Sequence, residues 1–295
     1  MRLVLHSPFP ARLRTREIVN TDVTAVASLL AQGFRRSTIK DWLEIFDRLT
    51  RHRAPEGFPK FGYLMEREGT PVGAILTVSS TVQTGNANTI RCNLSSWYVS
   101  PPYQSYAHLF ISRILKNKDV TFVNISAAPH TLPIIQAQGF SRYSNGQFFA
   151  LAVPFTFWDD ESVTVVAAEK SHKSQFDAFE QDLLRDHAEY GCTSLWCATT
   201  EGDYPFVFRS RLVRGFAPCA QLIYCRSIEE FVRFSKPIGR FLARRGTPFV
   251  MIDSNGRIPG LFGVYVNGVL PRYYKGPAPP RLGDLAYTEA ALFGI

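Results

Sequence analysis

The sequence predicts an α+β or α/β fold, in which a mixed, mostly antiparallel sheet is flanked by helices and two such units follow in tandem. The first reason is size, since 295 residues are enough for two domains and 45% of them are hydrophobic. The second reason is that strand-like and helix-like segments alternate through both halves. We expect one domain over residues 1–158 and a second over residues 159–295, with the boundary at segment 157–161.

The first half shows the order strand, two helices, three antiparallel strands, helix, strand, helix, strand. Apolar residues at helical spacing after Asn20-Thr21-Asp22, and again after Thr38, predict the two early helices. A Gly69-Thr70 turn between two strand-like runs is typical of a hairpin. The predicted elements are strand 13–19, helix 23–30, a helix from 37 or 38 to 49, strands 61–67, 72–82 and 90–99, helix 107–116, strand 120–126, helix 131–138 and strand 147–153.

The second half shows the order strand, helix, three strands, helix, strand. This repeated order predicts the tandem, although no repeat is visible residue by residue. The tail after residue 260 is rich in Gly, Pro and Tyr, and we expect it to cross to the first unit. The predicted elements are strand 163–167, helix 174–188, strands 194–199, 205–211 and 217–224, helix 228–244 and strand 248–253.

Positive charge is concentrated in the first half. Residues 1–158 hold 17 Lys and Arg against 9 Asp and Glu, whereas residues 159–295 hold 16 of each. The whole net charge of +8 therefore lies in the first half. Such a field favours a polyanionic ligand or nucleic acid, and the alternative is a solvated, Arg-rich surface.

Cysteine spacing and hydropathy argue against a zinc-binding, membrane-spanning or secreted protein. The cysteines do not have a zinc-binding spacing, so we expect buried free thiols and no metal. Uncharged runs such as 71–90 are interrupted by polar residues, and the start of the chain is broken by Pro8 and Pro10. We therefore expect neither a membrane span nor a signal peptide, and a cytoplasmic protein. The five cysteines are Cys92, Cys192, Cys197, Cys219 and Cys225.

The most informative stretch is a strand that stops at Pro101-Pro102 and turns directly into a helix. Such a turn leaves backbone N–H groups unpaired at a helix N-terminus, which is a common way to hold a phosphate. The strand, loop and helix resemble those that hold the pyrophosphate of coenzyme A in the GNAT acyltransferase superfamily. Gly73 and Gly139-Phe140 also fall where that superfamily usually has them, and the resemblance extends over residues 13–153.

The resemblance implies a binding site for acyl-CoA. The family's loop pattern is Gln or Arg, two residues, Gly, one residue, then Gly or Ala. Gln104 matches its first position, Ala107 stands where Gly is usual, and Leu109 stands where Gly or Ala is usual. Glycine serves there because the backbone must approach phosphate closely. The residues implied for the cofactor are Tyr98, Val99, Gln104, Ser105, Tyr106 and Ala107.

The family's usual catalytic residues are not matched. Ile135 stands at the position of the tyrosine acid and Ala128 at that of an asparagine, and strands 90–99 and 120–126 contain no Asp or Glu. The candidate substitutes are Ser96, Asn124 and His130, of which the histidine is a candidate base near neutral pH. Structural hydrogen bonding or a helix start are the alternative roles of these three residues. A tail folded over the cleft would add Asp284, Tyr287 or Glu289, and the alternative there is a C-terminal strand with capped turns.

We therefore expect an acyltransferase that moves an acyl group from acyl-CoA to an amine or hydroxyl of a small-molecule, sugar or peptide acceptor. Two alternatives remain open. A tandem-GNAT enzyme that takes an aminoacyl group from charged tRNA would suit the basic first half, because phosphate contacts need Lys and Arg. A non-catalytic, degenerate GNAT pair that acts as a binding or scaffold protein is suggested by Leu109, Ile135 and Ala128.

Overall fold

A computed structural model describes residues 13–84, 87–151, 163–168, 177–213 and 215–294. The chain packs into two compact units. Unit 1 comprises Met1–Ser141 and Tyr274–Pro279, and unit 2 comprises Arg142–Tyr273 and Pro280–Ile295. The division by packing thus falls at a different place from the expected chain boundary at residue 158. Of the tail, which we expected to cross to the first unit, Tyr274–Pro279 belong to unit 1.

Unit 1 is built on a mixed sheet with the strand order β1-β2-β3-β4-β5, in which only the β4–β5 pair is parallel. Its strands are β1 (Leu13–Glu17), β2 (Gly62–Arg67), β3 (Thr70–Thr84), β4 (Ala87–Val99) and β5 (Val120–Asn124). Its helices are α1 (Val23–Gly33), α2 (Ile39–Arg51), α3 (Ala107–Ile114) and α4 (Leu132–Ala137), with short 3₁₀ helices at Asn20–Asp22, Pro101–Tyr106 and Pro129–Thr131. These elements follow the predicted order.

The second helix shows why the sequence signals were reliable in unit 1. The Thr38 hydroxyl accepts the Asp41 N–H at 3.3 Å, and the Asp41 carboxylate accepts the Thr38 N–H at 2.6 Å, so the two residues form a capping box. The helix buries Trp42, Ile45 and Phe46 along one face. A local cap and an apolar face of helical period together determine this element.

Unit 2 is also a mixed sheet with helices, with the strand order β12-β6-β11-β10-β9-β8-β7. Its strands are β6 (Ser141–Leu151), β7 (Thr164–Ala167), β8 (Thr193–Ala198), β9 (Asp203–Val213), β10 (Ala217–Tyr224), β11 (Phe249–Ser254) and β12 (Gly263–Lys275). Its helices are α5 (Ala178–Glu189), α6 (Ile228–Arg233), α7 (Ser235–Ala243) and α8 (Glu289–Leu292). The predicted fold class, mixed and mostly antiparallel sheets flanked by helices, is confirmed.

One predicted element of unit 2 was wrong, and one strand was not predicted. The single helix over 228–244 is two helices that meet at Phe234, because Pro237 has no N–H to donate to the Arg233 carbonyl. The tail contains β12, a long strand that its Gly and Pro content concealed. In addition, β6 starts at Ser141 rather than near residue 147, and its last residues pair with β11.

Unit 2 buries a large aromatic core. The rings of Phe206 and Phe231 lie 6.3 Å apart and those of Phe206 and Phe234 lie 6.0 Å apart, close to edge-to-face geometry. All five cysteines of the chain are free and buried, as predicted. Within the described ranges, no helix is both long enough and apolar enough to cross a membrane.

Candidate functional site

The candidate site lies in unit 1, where β4 and β5 separate. The two strands run parallel from Ile90 to Asn93, and their last pair joins Asn93 to Val123. β5 ends one residue later, at Asn124, whereas β4 continues to Val99. The buried Asn93 amide donates to the carbonyl of Val123 and to its neighbouring carbonyl on β4, each at 3.3 Å. Beyond this amide, β4 continues without pairing to β5, and we call this interval the gap.

A β-bulge reshapes β4 beside the gap. Tyr98 pairs with Ala74 and Ser95 pairs with Leu76, so two residues of β4, Ser96 and Trp97, lie opposite one residue of β3. Ser96 has φ of 49°, a left-handed backbone that is uncommon outside glycine. Its hydroxyl lies 3.0 Å from the Ser95 hydroxyl. Bulges often redirect a strand next to a site, and this one changes which peptide groups face the gap.

The bulge leaves the Val99 peptide group directed away from β3. Val99 pairs with Gly73, and the next N–H, that of Ser100, donates to the Val72 carbonyl at 2.9 Å. In an antiparallel ladder, a residue between such hydrogen-bonded positions turns its own N–H and C=O to the opposite side. The Val99 N–H and C=O therefore point to the side of the gap. This is the place where a carbonyl oxygen of a bound ligand would find a backbone donor.

The Tyr98 ring lies directly against the last residue of α1. A Cβ atom added to Gly33 would lie 2.2 Å from Cδ2 of Tyr98 and 2.4 Å from its Cγ. Gly33 therefore provides the space in which the half-buried ring rests. Gly33 cannot be recognised as a site residue from the sequence, because a glycine at the end of a helix normally signals only a helix stop.

The loop after β4 is more closed than the sequence predicted. It forms the 3₁₀ helix Pro101–Tyr106, in which the Tyr103 N–H donates to the Ser100 carbonyl at 2.9 Å. The N–H of Ala107 donates to the Gln104 carbonyl, so the expectation of unpaired N–H groups at this turn does not hold for Ala107. The reason is that a 3₁₀ turn satisfies i→i−3 donors that an open loop would leave to a ligand. Ala107 itself is buried.

The loop presents polar side chains at the surface. Gln104 and Ser105 are exposed, and Tyr106 is half-buried. The guanidinium of Arg67 donates to the Tyr103 hydroxyl at 3.0 Å and so lies beside the loop. The loop thus presents an amide, a hydroxyl and a nearby cation, which is a chemistry that suits phosphate oxygens.

The three candidate catalytic residues are placed differently. Ser96 lies on the bulge, and Asn124 lies at the end of β5, where its side-chain oxygen accepts the Ser126 N–H at 3.3 Å. His130 is exposed on the 3₁₀ helix Pro129–Thr131. Ser96 and Asn124 therefore border the gap on its two strands, and His130 follows on the segment after β5. Ile135 is 1% exposed and belongs to the core.

The Cys92 thiol and the acidic and phenolic side chains of the tail do not add a reactive group to the gap. Burial raises the pKa of Cys92 on β4 to about 12, so that thiol is protonated at neutral pH and is not a nucleophile. The tail residues Asp284, Tyr287 and Glu289 belong to unit 2, where Tyr287 donates its hydroxyl to Asp186 at 2.9 Å. In the part of the chain that the structure describes, no three His, Cys, Asp or Glu side chains gather to hold a metal ion.

Comparison with known proteins shows which of them share this fold. Neither a protein-family model nor a curated protein matches the sequence. Solved structures do match. A putative acetyltransferase from Pyrococcus horikoshii aligns over 96% of this chain and 95% of its own, with a TM-score of 0.57 at 12% identity.

Two further structures agree with this fold. A GCN5-related N-acetyltransferase from Anabaena variabilis gives a TM-score of 0.59 at 10% identity, with 89% of this chain and 72% of that chain covered. A protein of unknown function from Enterococcus faecalis, described as a probable N-acyltransferase, gives 0.57 at 10% identity, with 92% and 73% covered. The fold that the sequence resemblance implied is therefore confirmed.

Proposed function

We propose that unit 1 transfers an acyl group from acyl-CoA to an amine or hydroxyl acceptor. The observation that carries the proposal is the gap between β4 and β5 with the Val99 N–H directed to its side. A thioester carbonyl in the gap would accept a hydrogen bond from this N–H, which stabilises the negative charge that develops on the oxygen during attack. The descriptions of the similar structures, acetyltransferases and a probable N-acyltransferase, support the same class of reaction.

The proposed reaction is a direct transfer. A lone pair of the acceptor attacks the thioester carbon, a C–N or C–O bond forms, and the C–S bond breaks. The acceptor gives its proton to a base, and the thiolate of coenzyme A takes up a proton from solvent. We assign the base to His130 because it is an exposed imidazole on the segment after β5, and imidazole is the side chain that most often acts as a general base.

Ser96, Asn124, Tyr98 and Val99 would position the two substrates. Ser96 and Asn124 border the gap and would orient the thioester and the acceptor by hydrogen bonds. β4 and β5 carry no Asp or Glu, so positioning and backbone polarisation would supply most of the acceleration. Tyr98 and Val99 would contact the pantetheine arm.

The loop would hold the pyrophosphate of the donor. Gln104 and Ser105 are exposed there, Tyr106 ends the 3₁₀ helix, and Ala107 keeps the first turn of α3 small. The excess of positive charge in residues 1–158 would draw the polyanionic donor toward the site.

The test is thermal unfolding with and without acetyl-CoA and longer acyl-CoAs. A ligand at a hundred times its Kd adds about 2.7 kcal/mol to the free energy of unfolding, so we expect a clear rise of the Tm. We expect Gln104→Glu to remove the rise, because it places a carboxylate against the phosphates. Gln136→Glu, at an exposed position on α4, makes the same change elsewhere and should keep the rise.

The outcomes separate the three functions. No shift with any acyl-CoA, together with salt-sensitive binding of tRNA, would favour the aminoacyl transferase. The absence of both responses would favour a scaffold protein. An equal shift for wild type and Gln104→Glu would place the donor site elsewhere in the chain.

A further inference from the structure

Unit 2 contains a gap of the same kind as unit 1. β10 and β11 run parallel only from Cys219 to Gln221, which face residues 249–251 of β11. β10 then has an irregularity between Leu222 and Tyr224 and continues without β11 beside it. In unit 1, the corresponding strands β4 and β5 separate beyond Asn93, and β4 also carries a bulge there.

The C-terminal segment pairs with β10 where β10 has left β11. The Cys225 N–H donates to the Gly283 carbonyl at 2.9 Å, and the Leu285 N–H donates to the Ile223 carbonyl at 2.7 Å. These two hydrogen bonds enclose an antiparallel bridge between Tyr224 and Asp284. Residues 283–285 therefore behave as a short extra strand on β10.

The register shows on which side of β10 this strand lies. On its other edge, Tyr224 pairs with Val207 of β9. Ile223 and Cys225, which flank Tyr224, direct their peptide groups away from β9 and toward the tail. Because β11 lies on that same side further back along β10, the tail occupies the gap between β10 and β11.

Side chains hold the tail in this position. The Arg281 guanidinium donates to the Cys225 carbonyl and lies over the Tyr224 ring, 5.0 Å from its centroid. Both the N–H and the C=O of Cys225 are thus taken by the tail. Further on, the Tyr287 N–H donates to Nε2 of the buried His187 at 3.1 Å.

We infer that residues 283–285 are an internal strand ligand of unit 2, which fills the gap between β10 and β11. The corresponding gap in unit 1, between β4 and β5, is the one that we propose for the donor. Unit 2 therefore takes no acyl-CoA, and the chain binds one donor. The stoichiometry of one acyl-CoA per chain rests on the proposed function of unit 1, whereas the insertion of residues 283–285 beside β10 does not.

Gly283 offers a specific way to loosen the tail. It has φ of +78°, and a Cβ atom there would lie 2.6 Å from the sulfur of Cys225 and 3.2 Å from Cδ1 of Ile228. Gly283→Ala should therefore push the tail away from β10. Gly246 has the same φ of +78° with no atom within 4 Å of an added Cβ, so Gly246→Ala is the matched control for backbone strain.

The readout is alkylation of Cys225 by iodoacetamide in the full-length, folded chain, mapped by mass spectrometry. Cys225 is buried, and burial raises its pKa to about 12, so labelling requires the tail to open. We expect Gly283→Ala to label about tenfold faster than Gly246→Ala, which corresponds to about 1.4 kcal/mol of opening free energy. Equal rates for the two variants would overturn the inference.

Cys92 in unit 1 is the internal reference, because general destabilisation would raise its labelling as well. If Gly283→Ala does not fold, Arg281→Ala removes the hydrogen bond to the Cys225 carbonyl and is measured in the same way. It should accelerate labelling of Cys225 over wild type without affecting Cys92, and an unchanged rate would contradict the strand ligand.

Calorimetric titration with acetyl-CoA tests the stoichiometry. We expect one equivalent of acetyl-CoA per chain and no binding to Gln104→Glu. Saturating acetyl-CoA should leave the rate of Cys225 labelling in the wild type unchanged. A second equivalent, or acetyl-CoA that accelerates the labelling, would show that the donor competes with the tail and would refute the closed gap. If acetyl-CoA does not bind at all, the proposed function fails, and the comparison of the two glycine variants still decides the strand insertion.

Discussion

The substitution Gly33→Ala tests whether the Tyr98 ring is held where the structure places it. At the end of an ordinary helix, replacing glycine with alanine lowers the entropy of the unfolded chain and favours the helix by about 0.5–1 kcal/mol. Here the new Cβ would lie 2.2 Å from Cδ2 of Tyr98, whereas ordinary contacts of a Cβ atom fall between 3.4 and 4 Å. The ring must therefore move by more than an ångström.

We expect the clash to exceed the gain in helix propensity. Overpacking of this kind costs about 1–3 kcal/mol, so Gly33→Ala should lower the free energy of unfolding by about 1–2 kcal/mol. In the background Tyr98→Ala the clash is absent, and the same substitution should stabilise the protein. The coupling between the two positions should therefore be about 1.5–3 kcal/mol, in the upper part of the range for residues in contact.

The assay is urea denaturation of the wild type, both single variants and the double variant, with far-UV circular dichroism as the signal. The change in midpoint at constant slope gives the four free energies of a double-mutant cycle. A Gly33→Ala substitution that stabilises both backgrounds equally would refute the packing of Tyr98 on α1. Loss of acyl transfer in Gly33→Ala at full folding would in addition connect the ring position with the proposed site.

Two further predictions concern unit 2. Asp253→Ala should cost about 3–5 kcal/mol in urea denaturation, because it leaves the buried Arg272 guanidinium without the carboxylate that it contacts at 2.9 and 3.0 Å; a loss below about 1 kcal/mol would contradict this. Burial raises the pKa of Asp186, so the protonated acid is favoured more in the folded chain than in the unfolded chain. This preference contributes stability below the unfolded-state pKa. The contribution is lost as the pH rises through the folded-state pKa. Asp186→Asn, which removes a half-buried charge, should therefore raise the Tm at pH 7 and give no advantage near pH 3. A pH-independent difference would contradict the assignment.

Much of unit 1 follows from local signals. Thr38 and Asp41 cap a helix whose apolar face is legible in the sequence, and Pro101-Pro102 end β4 and start the helical turn before α3. These features depend on residues a few positions apart, so the sequence determines them with little help from the rest of the chain. The order of elements, and with it the GNAT fold of unit 1, could be predicted for the same reason.

The details of the candidate site depend on neighbouring strands. The bulge at Ser96 exists because β4 and β3 pair with one residue out of step, and no local pattern marks it. The 3₁₀ hydrogen bond that takes the Ala107 N–H is likewise invisible in a loop pattern. Asn93 was overlooked, although a polar amide within an apolar strand is a signal that could have been used.

The sequence by itself determined the class of fold, the capped helices, the buried thiols and the concentration of charge in the first half. Only the tertiary structure decided that residues 283–285 pair with β10 beyond its last pair with β11. The hydrogen bonds of Cys225 and Leu285 join residues about sixty positions apart, between β10 and a tail that has no strand period of its own. Where two strands separate, a backbone N–H or C=O can bind either a ligand or another segment of the chain. Long-range strand pairing decides between the two, and local sequence does not encode it.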